Sequence, residues 1–166
     1  MRRGAAGFSL IELLIVVVII GILITMTIPG LKETAMRKQV KEGMELAEIA
    51  KKGVAVFYAT SKGNLPADNL QAGLPPPDKI IGQFNTAVTV LDGAITLTFG
   101  NNAGKSIEGR KLTLRPAIVP GYETVPPSWI CNEVAVPMNM EIRGQNQTNI
   151  PMAWLPVECR GSAAKK

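Results

Sequence analysis

The chain has 166 residues, 46% of them hydrophobic, enough for one domain with a core of its own and too few for a second full domain. Its formal net charge of +5 is mild and no run of like charge exceeds two residues, so nucleic acid is permitted as a partner without being indicated. Histidine is absent, which removes serine–histidine and cysteine–histidine nucleophile systems and the commonest zinc ligand, leaving no cofactor indicated and an enzyme a poor fit.

Residues 8–28 are apolar except for Ser9, Glu12, Gly21, Thr25 and Thr27. As a helix this run is about 31 Å long, enough to cross the hydrocarbon core of a bilayer. A cleaved secretory signal is the alternative, but its apolar region spans only about 7 to 15 residues and ends in a small-residue cleavage site. Pro29-Gly30-Leu31 is not such a site, so the run reads as a retained span. Glu12 then sits where a charged side chain costs about 2.5 to 3.5 kcal/mol or more. Pro29 removes one backbone hydrogen bond and bends a helix without having to end it.

Beyond it, Met36, Val40, Gly43, Ala47, Ala50, Val54 and Phe57 recur in steps of four and three, which places them on one helical face. Leu46, Ile49 and Val56 are expected to widen that face, and Glu48 is spaced to pair with Lys52 on the other. This predicts a second helical half over about 31–58, whose small-residue stripe covers a sheet. A free coiled-coil helix fits less well, because Gly43, Ala47 and Ala50 are poor knobs for a seam.

Residues 61–85 read as a loop, with Pro75-Pro76-Pro77 within it. A hairpin follows, with strands at 86–91 and 94–99 joined by Asp92-Gly93, a pair favoured in two-residue turns. Val88, Val90, Ile95, Leu97 and Phe99 alternate with threonines and similar residues, predicting one buried face per strand. Further strands fit 110–115 and 129–134. The remainder, 137–166, carries Pro137, Pro151 and Pro156 with little periodicity and reads as an irregular loop. Cys131 and Cys159 read as one disulfide, with two reduced buried thiols as the alternative. A disulfide needs an oxidising compartment, which places the globular part outside the cytoplasm.

Met1 to Gly7 is short and basic, and the apolar run starts directly after the glycine. Gly7-Phe8-Ser9-Leu10-Ile11-Glu12 resembles, at every position, the precursor signature of type IV pilins: a short basic leader ending in Gly, then Phe, Thr or Ser, Leu, Ile or Val, and Glu. Gly21 and Pro29 fall where that family has its recurrent Gly and Pro. Gly100-Asn101-Asn102-Ala103, Gly109 to Leu114, Trp129-Ile130-Cys131 and the ending Leu155 to Arg160 are similar to a pilin head. The fold class implied is α+β: a long N-terminal helix, its first half transmembrane, packed on a four-stranded antiparallel sheet, with a disulfide-bounded C-terminal loop. The divisions are a leader at 1–7, a transmembrane and assembly half-helix at 8–29, and a head at 30–166.

The resemblance implies that a prepilin peptidase cuts between Gly7 and Phe8 and that the new amine of Phe8 is methylated. The chain then waits in inner-membrane lipid as a single-pass protein, and the pilus assembly machinery moves it into a homopolymer, the extracellular pilus or fimbrium. Arg2 and Arg3 precede the span while Lys32, Arg37, Lys38 and Lys41 follow it, so the positive-inside count alone favours the opposite orientation. The leader chemistry and the disulfide nevertheless require a cytoplasmic N-terminus.

In the filament, Glu12 of one subunit is expected to pair with the Phe8 amine of its neighbour. Capping of its own helix by Glu12 is the competing role. Gly21 and Pro29 are expected to bracket a stretch that can melt on assembly. Arg110, Lys111 and Arg115 form a possible weak DNA contact, against a solvated basic face as the plainer reading. The function implied is a structural subunit, a major pilin serving adhesion to host or abiotic surfaces, twitching motility and DNA uptake. Alternatives are a minor or DNA-receptor pilin, or a type II secretion pseudopilin, which typically lacks the late disulfide loop.

Overall fold

A computed structural model describes residues 8–161, with the backbone alone at 26–29. The leader, including Gly7, and the tail from Ser162 lie outside the described residues. One helix, α1 (Leu10–Thr60), opens the chain, and the residues group into two compact units, Met1–Ala35 and Met36–Lys166.

In the first unit α1 carries apolar side chains on every side, and from Leu10 to Ile24 each large one is exposed. Such a helix has no amphipathic face to lay on a core of its own. By length and composition it can cross a membrane. The backbone stays helical through Gly21 and through Pro29, although proline lacks the N–H that would bond the Thr25 carbonyl.

In the second unit the helical stripe packs on the sheet as its spacing predicts: Met36, Val40, Ala47, Ala50, Val54 and Tyr58 are buried. Tyr58 rather than Phe57 completes the stripe, because the step after Val54 is four residues. Ile49 and Val56 do not widen the buried face; both are exposed, on the side of the helix turned away from the core. Glu48 pairs with Lys51 at 2.7 Å, three residues on, in place of Lys52.

The sheet contains β1 (Asn85–Leu91), β2 (Ala94–Phe99), β3 (Lys111–Ile118) and β4 (Ser128–Cys131), antiparallel and in that order. A short β5 (Glu141–Ile142) pairs with the end of β3. The β1–β2 turn has Asp92 at φ 48° and Gly93 at φ 77°, the left-handed pair that a two-residue hairpin needs. Val88, Val90, Ile95, Leu97, Phe99, Leu112 and Leu114 meet α1 in a single core.

Two expectations are corrected. The third strand does not stop at Arg115 but runs through Pro116. The Pro116 carbonyl accepts the Arg143 N–H at 2.9 Å, so its donorless nitrogen faces the side where β2 has ended and only the short β5 follows. The region after Pro137 is also more than an irregular loop, since besides β5 it contains 3-10 turns at Met152–Trp154 and Val157–Cys159. It crosses the outer face of the sheet, so the threonines there are covered: the Thr96 and Thr113 hydroxyls meet at 3.1 Å in a buried pair, and Gln147 N donates to the Thr113 oxygen.

Candidate functional site

The start of α1 is built by Ser9, whose carbonyl accepts the N–H groups of Glu12 at 3.0 Å and Leu13 at 3.2 Å. Glu12 is the acidic residue of this first turn, where the helix dipole favours an anion. Among the described residues its carboxylate has no ion pair and no side-chain hydrogen bond, and Phe8, one turn before it, is 75% exposed. The carboxylate is thus the one charged side chain of the stretch from Leu10 to Ile24, with no cation beside it among the described residues.

Gly21 is not required by packing among the described residues: a β-carbon there would meet nothing within 4 Å. Glycine costs a helix interior about 1 kcal/mol relative to alanine.

In the second unit, Cys131 on β4 is bonded to Cys159, with an S–S distance of 2.03 Å and a Cα–Cα distance of 5.1 Å. The pair is buried, and the Met44 sulfur of α1 lies 3.9 Å from Cys159 Sγ. Asn132 Nδ2 donates to the Cys159 carbonyl at 3.3 Å, while Arg37 Nε on α1 donates to the Ala153 carbonyl at 2.7 Å. The disulfide is thus one of several ties that hold the C-terminal segment down.

Arg110, Lys111 and Arg115 belong to the same set of ties. Arg110 donates through Nε to Ser106 O and through Nη1 to Asn149 O, at 2.9 and 2.7 Å, and its guanidinium lies 5.7 Å from the Trp154 ring centroid. Lys111 Nζ donates to Gln147 Oε1, and Arg115 Nη2 to Asn132 O at 2.7 Å. All three are half-buried and engaged with carbonyl or amide oxygens of their own head.

Sequence reasoning did not find their partners. Asn149 Oδ1 accepts the Lys111 N–H and Thr148 Oγ1 accepts the Thr113 N–H, standing in for a strand along β3. A tract of Asn, Gln and Thr is the only local signal, and alone it does not say which strand it covers. Among the described residues no group of three His, Cys, Asp or Glu is placed to hold a metal ion.

Comparison with known proteins reaches both ends of the chain. Residues 37–160 match the pilin family, described as a bacterial filament, and residues 2–28 match the prokaryotic N-terminal methylation motif. A type IV major pilin protein of Neisseria gonorrhoeae is 33% identical over 99% of this chain and 92% of its own length. A fimbrial protein of Neisseria meningitidis is 32% identical over 99% of each chain, and fimbrial protein EcpC of Eikenella corrodens is 32% identical over 98% of this chain and 95% of its own. With a head built on one disulfide-tied sheet, an apolar helix carrying a lone carboxylate, and matches that together span nearly all of it, the chain belongs to the pilin family, as a structural subunit of a pilus and not an enzyme.

Proposed function

We propose that the protein is the major subunit of a type IV pilus, cleaved between Gly7 and Phe8 and held with its N-terminus cytoplasmic until assembly. The observation that carries this reading is Glu12, a carboxylate without a partner among the described residues, one turn from Phe8 on an exposed apolar helix. Burying that helix among its copies takes the carboxylate out of water, which costs several kcal/mol unless a counter-charge is supplied. Cleavage creates one. The methylated amine of Phe8 on a neighbouring subunit pairs with Glu12 and sets the axial register in the same contact.

Gly21 and Pro29 are the weak points at which α1, continuous in the single chain, gives way when packed in the fibre. The filament serves adhesion to host or abiotic surfaces and twitching motility. DNA uptake through Arg110, Lys111 and Arg115 is the weaker part of the reading, since each of them already serves an acceptor within the head. A minor pilin would share the same leader and head and differ in abundance.

Mass spectrometry of sheared surface fibres tests the reading. The expected species is abundant, starts at N-methylated Phe8, and carries the Cys131–Cys159 bond; a chain retaining Met1, or one scarce in the fibres, overturns it. In the same assay Glu12→Ala is expected to leave processing intact and fibres nearly absent, and normal piliation by that variant sinks the pairing.

A further inference from the structure

The sheet has two outer edges, and they are closed differently. Beside β4, Cys131 is bonded covalently to the 3-10 turn at Val157–Cys159. Beside β1 there is no covalent tie. There the segment 66–82 runs along the strand as a strap: Gly93 N donates to Pro66 O at 2.8 Å, Asp92 N to Ala67 O at 3.2 Å, and Gly82 N to Asn85 O at 3.0 Å.

Between these outer fastenings the strap packs Ala72, Leu74 and Ile80 into the core, and its hydrogen bonds to the middle of β1 come from one side chain. Asn69, 4% exposed, donates from Nδ2 to the Val88 carbonyl at 3.0 Å and accepts the Val90 N–H on Oδ1 at 2.7 Å. Nδ2 also donates to the Pro75 carbonyl at 3.0 Å, so both amide N–H groups and the oxygen are used. A primary amide offers a donor and an acceptor side by side, as a peptide unit of an adjacent strand does. Asn69 therefore completes one step of a ladder that the strap backbone does not, its own carbonyl being taken by Leu74 N at 2.8 Å.

The buried strap residues do not fill the whole edge. An open apolar groove of about 490 Å³, lined in part by Leu70, Leu74, Pro77 and Leu91, lies between strap and strand, and Leu70 is 82% exposed. The outer edge of an antiparallel sheet is a template for another chain's strand. Pilin subunits assemble with their own kind, so the strand most available to β1 is β1 of a second copy.

We propose that Asn69 is a guard side chain that keeps the outer edge of β1 from pairing with β1 of another copy, leaving self-association to other surfaces. With the amide in place, the Val88 acceptor and the Val90 donor are spent. Without it, they are offered to solvent or to a neighbouring strand in the spacing an antiparallel partner needs.

The test uses the full chain in detergent micelles. Thr89→Cys is placed on the wild-type background and with Asn69→Asp, Asn69→Ala or Leu155→Ala. Two β1 strands paired antiparallel about position 89 bring the new thiols to a Cβ separation of about 5 Å, where mild oxidation links them. Asn69→Asp sets a carboxylate against two carbonyls, and Asn69→Ala removes the amide without adding charge. Leu155→Ala loosens the core away from the edge.

Both Asn69 variants are expected to give about tenfold more linked dimer than Thr89→Cys alone, and to speed hydrogen exchange of the Val90 amide by about tenfold while leaving Leu97 unchanged. The proposal is overturned by equal dimer with and without Asn69, by as much dimer from Leu155→Ala, or by an unmoved Val90 amide. None of these readouts involves leader cleavage or Glu12, so the result stands apart from the assembly reading above.

Discussion

Gly43 on α1 and Asn85 on β1 touch so closely that a β-carbon on the glycine would lie 2.9 Å from the Asn85 Oδ1 and 3.1 Å from the Phe99 ring. Helix and sheet approach each other here because one of them has no side chain. Asn85 is itself buried, so packing leaves its side chain little room to move aside. Overpacking of this kind costs about 1 to 3 kcal/mol, against a gain in helix propensity of about 1 kcal/mol. Gly43→Ala is expected to lower unfolding stability by up to about 2 kcal/mol, read by a thermal melt. Gly53→Ala is expected to cost more, because its β-carbon would collide with the Ala72 carbonyl, a backbone atom that cannot rotate away.

Gly21→Ala is the contrasting case. Among the described residues nothing stands within 4 Å of its missing β-carbon, so the isolated subunit in detergent is expected to keep or slightly raise its helicity, gaining up to about 1 kcal/mol. Any defect is expected only in the yield or extensibility of fibres. A fall in helicity of the isolated variant would contradict this assignment.

Replacing both Cys131 and Cys159 by serine opens a loop with a sequence separation of 28. Loop-closure entropy sets the loss at about 3.6 kcal/mol. At this chain size that corresponds to a melting point lower by roughly 7 to 14 °C. The ties from Arg110 to Asn149 and from Thr113 N to Thr148 do not pass through the bond. The reduced head is therefore expected to unfold in one cooperative step and not to shed its C-terminal segment first, as hydrogen exchange of the Thr113 amide would report.

Tyr58 gives the alkaline limb of stability. Burial, followed by the nearby Glu123 carboxylate, raises its phenol above the ordinary value of 10.0, with Arg143 opposing. The folded state thus holds this proton more tightly than the unfolded state. Its contribution is complete below about pH 10 and is lost as pH rises through the higher folded value. Tyr58→Phe is expected to flatten the fall in stability above about pH 10, measured by urea unfolding. An unchanged slope would locate the alkaline sensitivity elsewhere.

Much of this architecture is written locally. The step-four, step-three stripe from Met36 to Val54 and the Asp92-Gly93 turn lie within a few residues of the structure they specify, and the apolar run with its one carboxylate is legible by inspection. The missed parts depend on residues far apart in the chain. Thr96 and Thr113 read as solvent-facing, and become buried only because Gln147 and Thr148 arrive from more than thirty residues away. Arg110 and Arg115 look like surface cations until Asn149 and Asn132 supply carbonyls for them. Periodicity records which face a strand hides, but not whether a later segment will cover the other.

That later segment also sets an order of events. Thr148 and Asn149 supply bonds along β3, and Cys159 closes the β4 edge, so the sheet lacks part of its framework until nearly the whole chain has been made. A chain that lacks this segment would leave the outer face of its sheet uncovered and Cys131 unjoined. Truncations that remove residues beyond Glu141 are therefore expected to leave a sticky, protease-sensitive head rather than a shorter stable one. The end of the chain acts as the latch on a domain whose first element was made at the beginning.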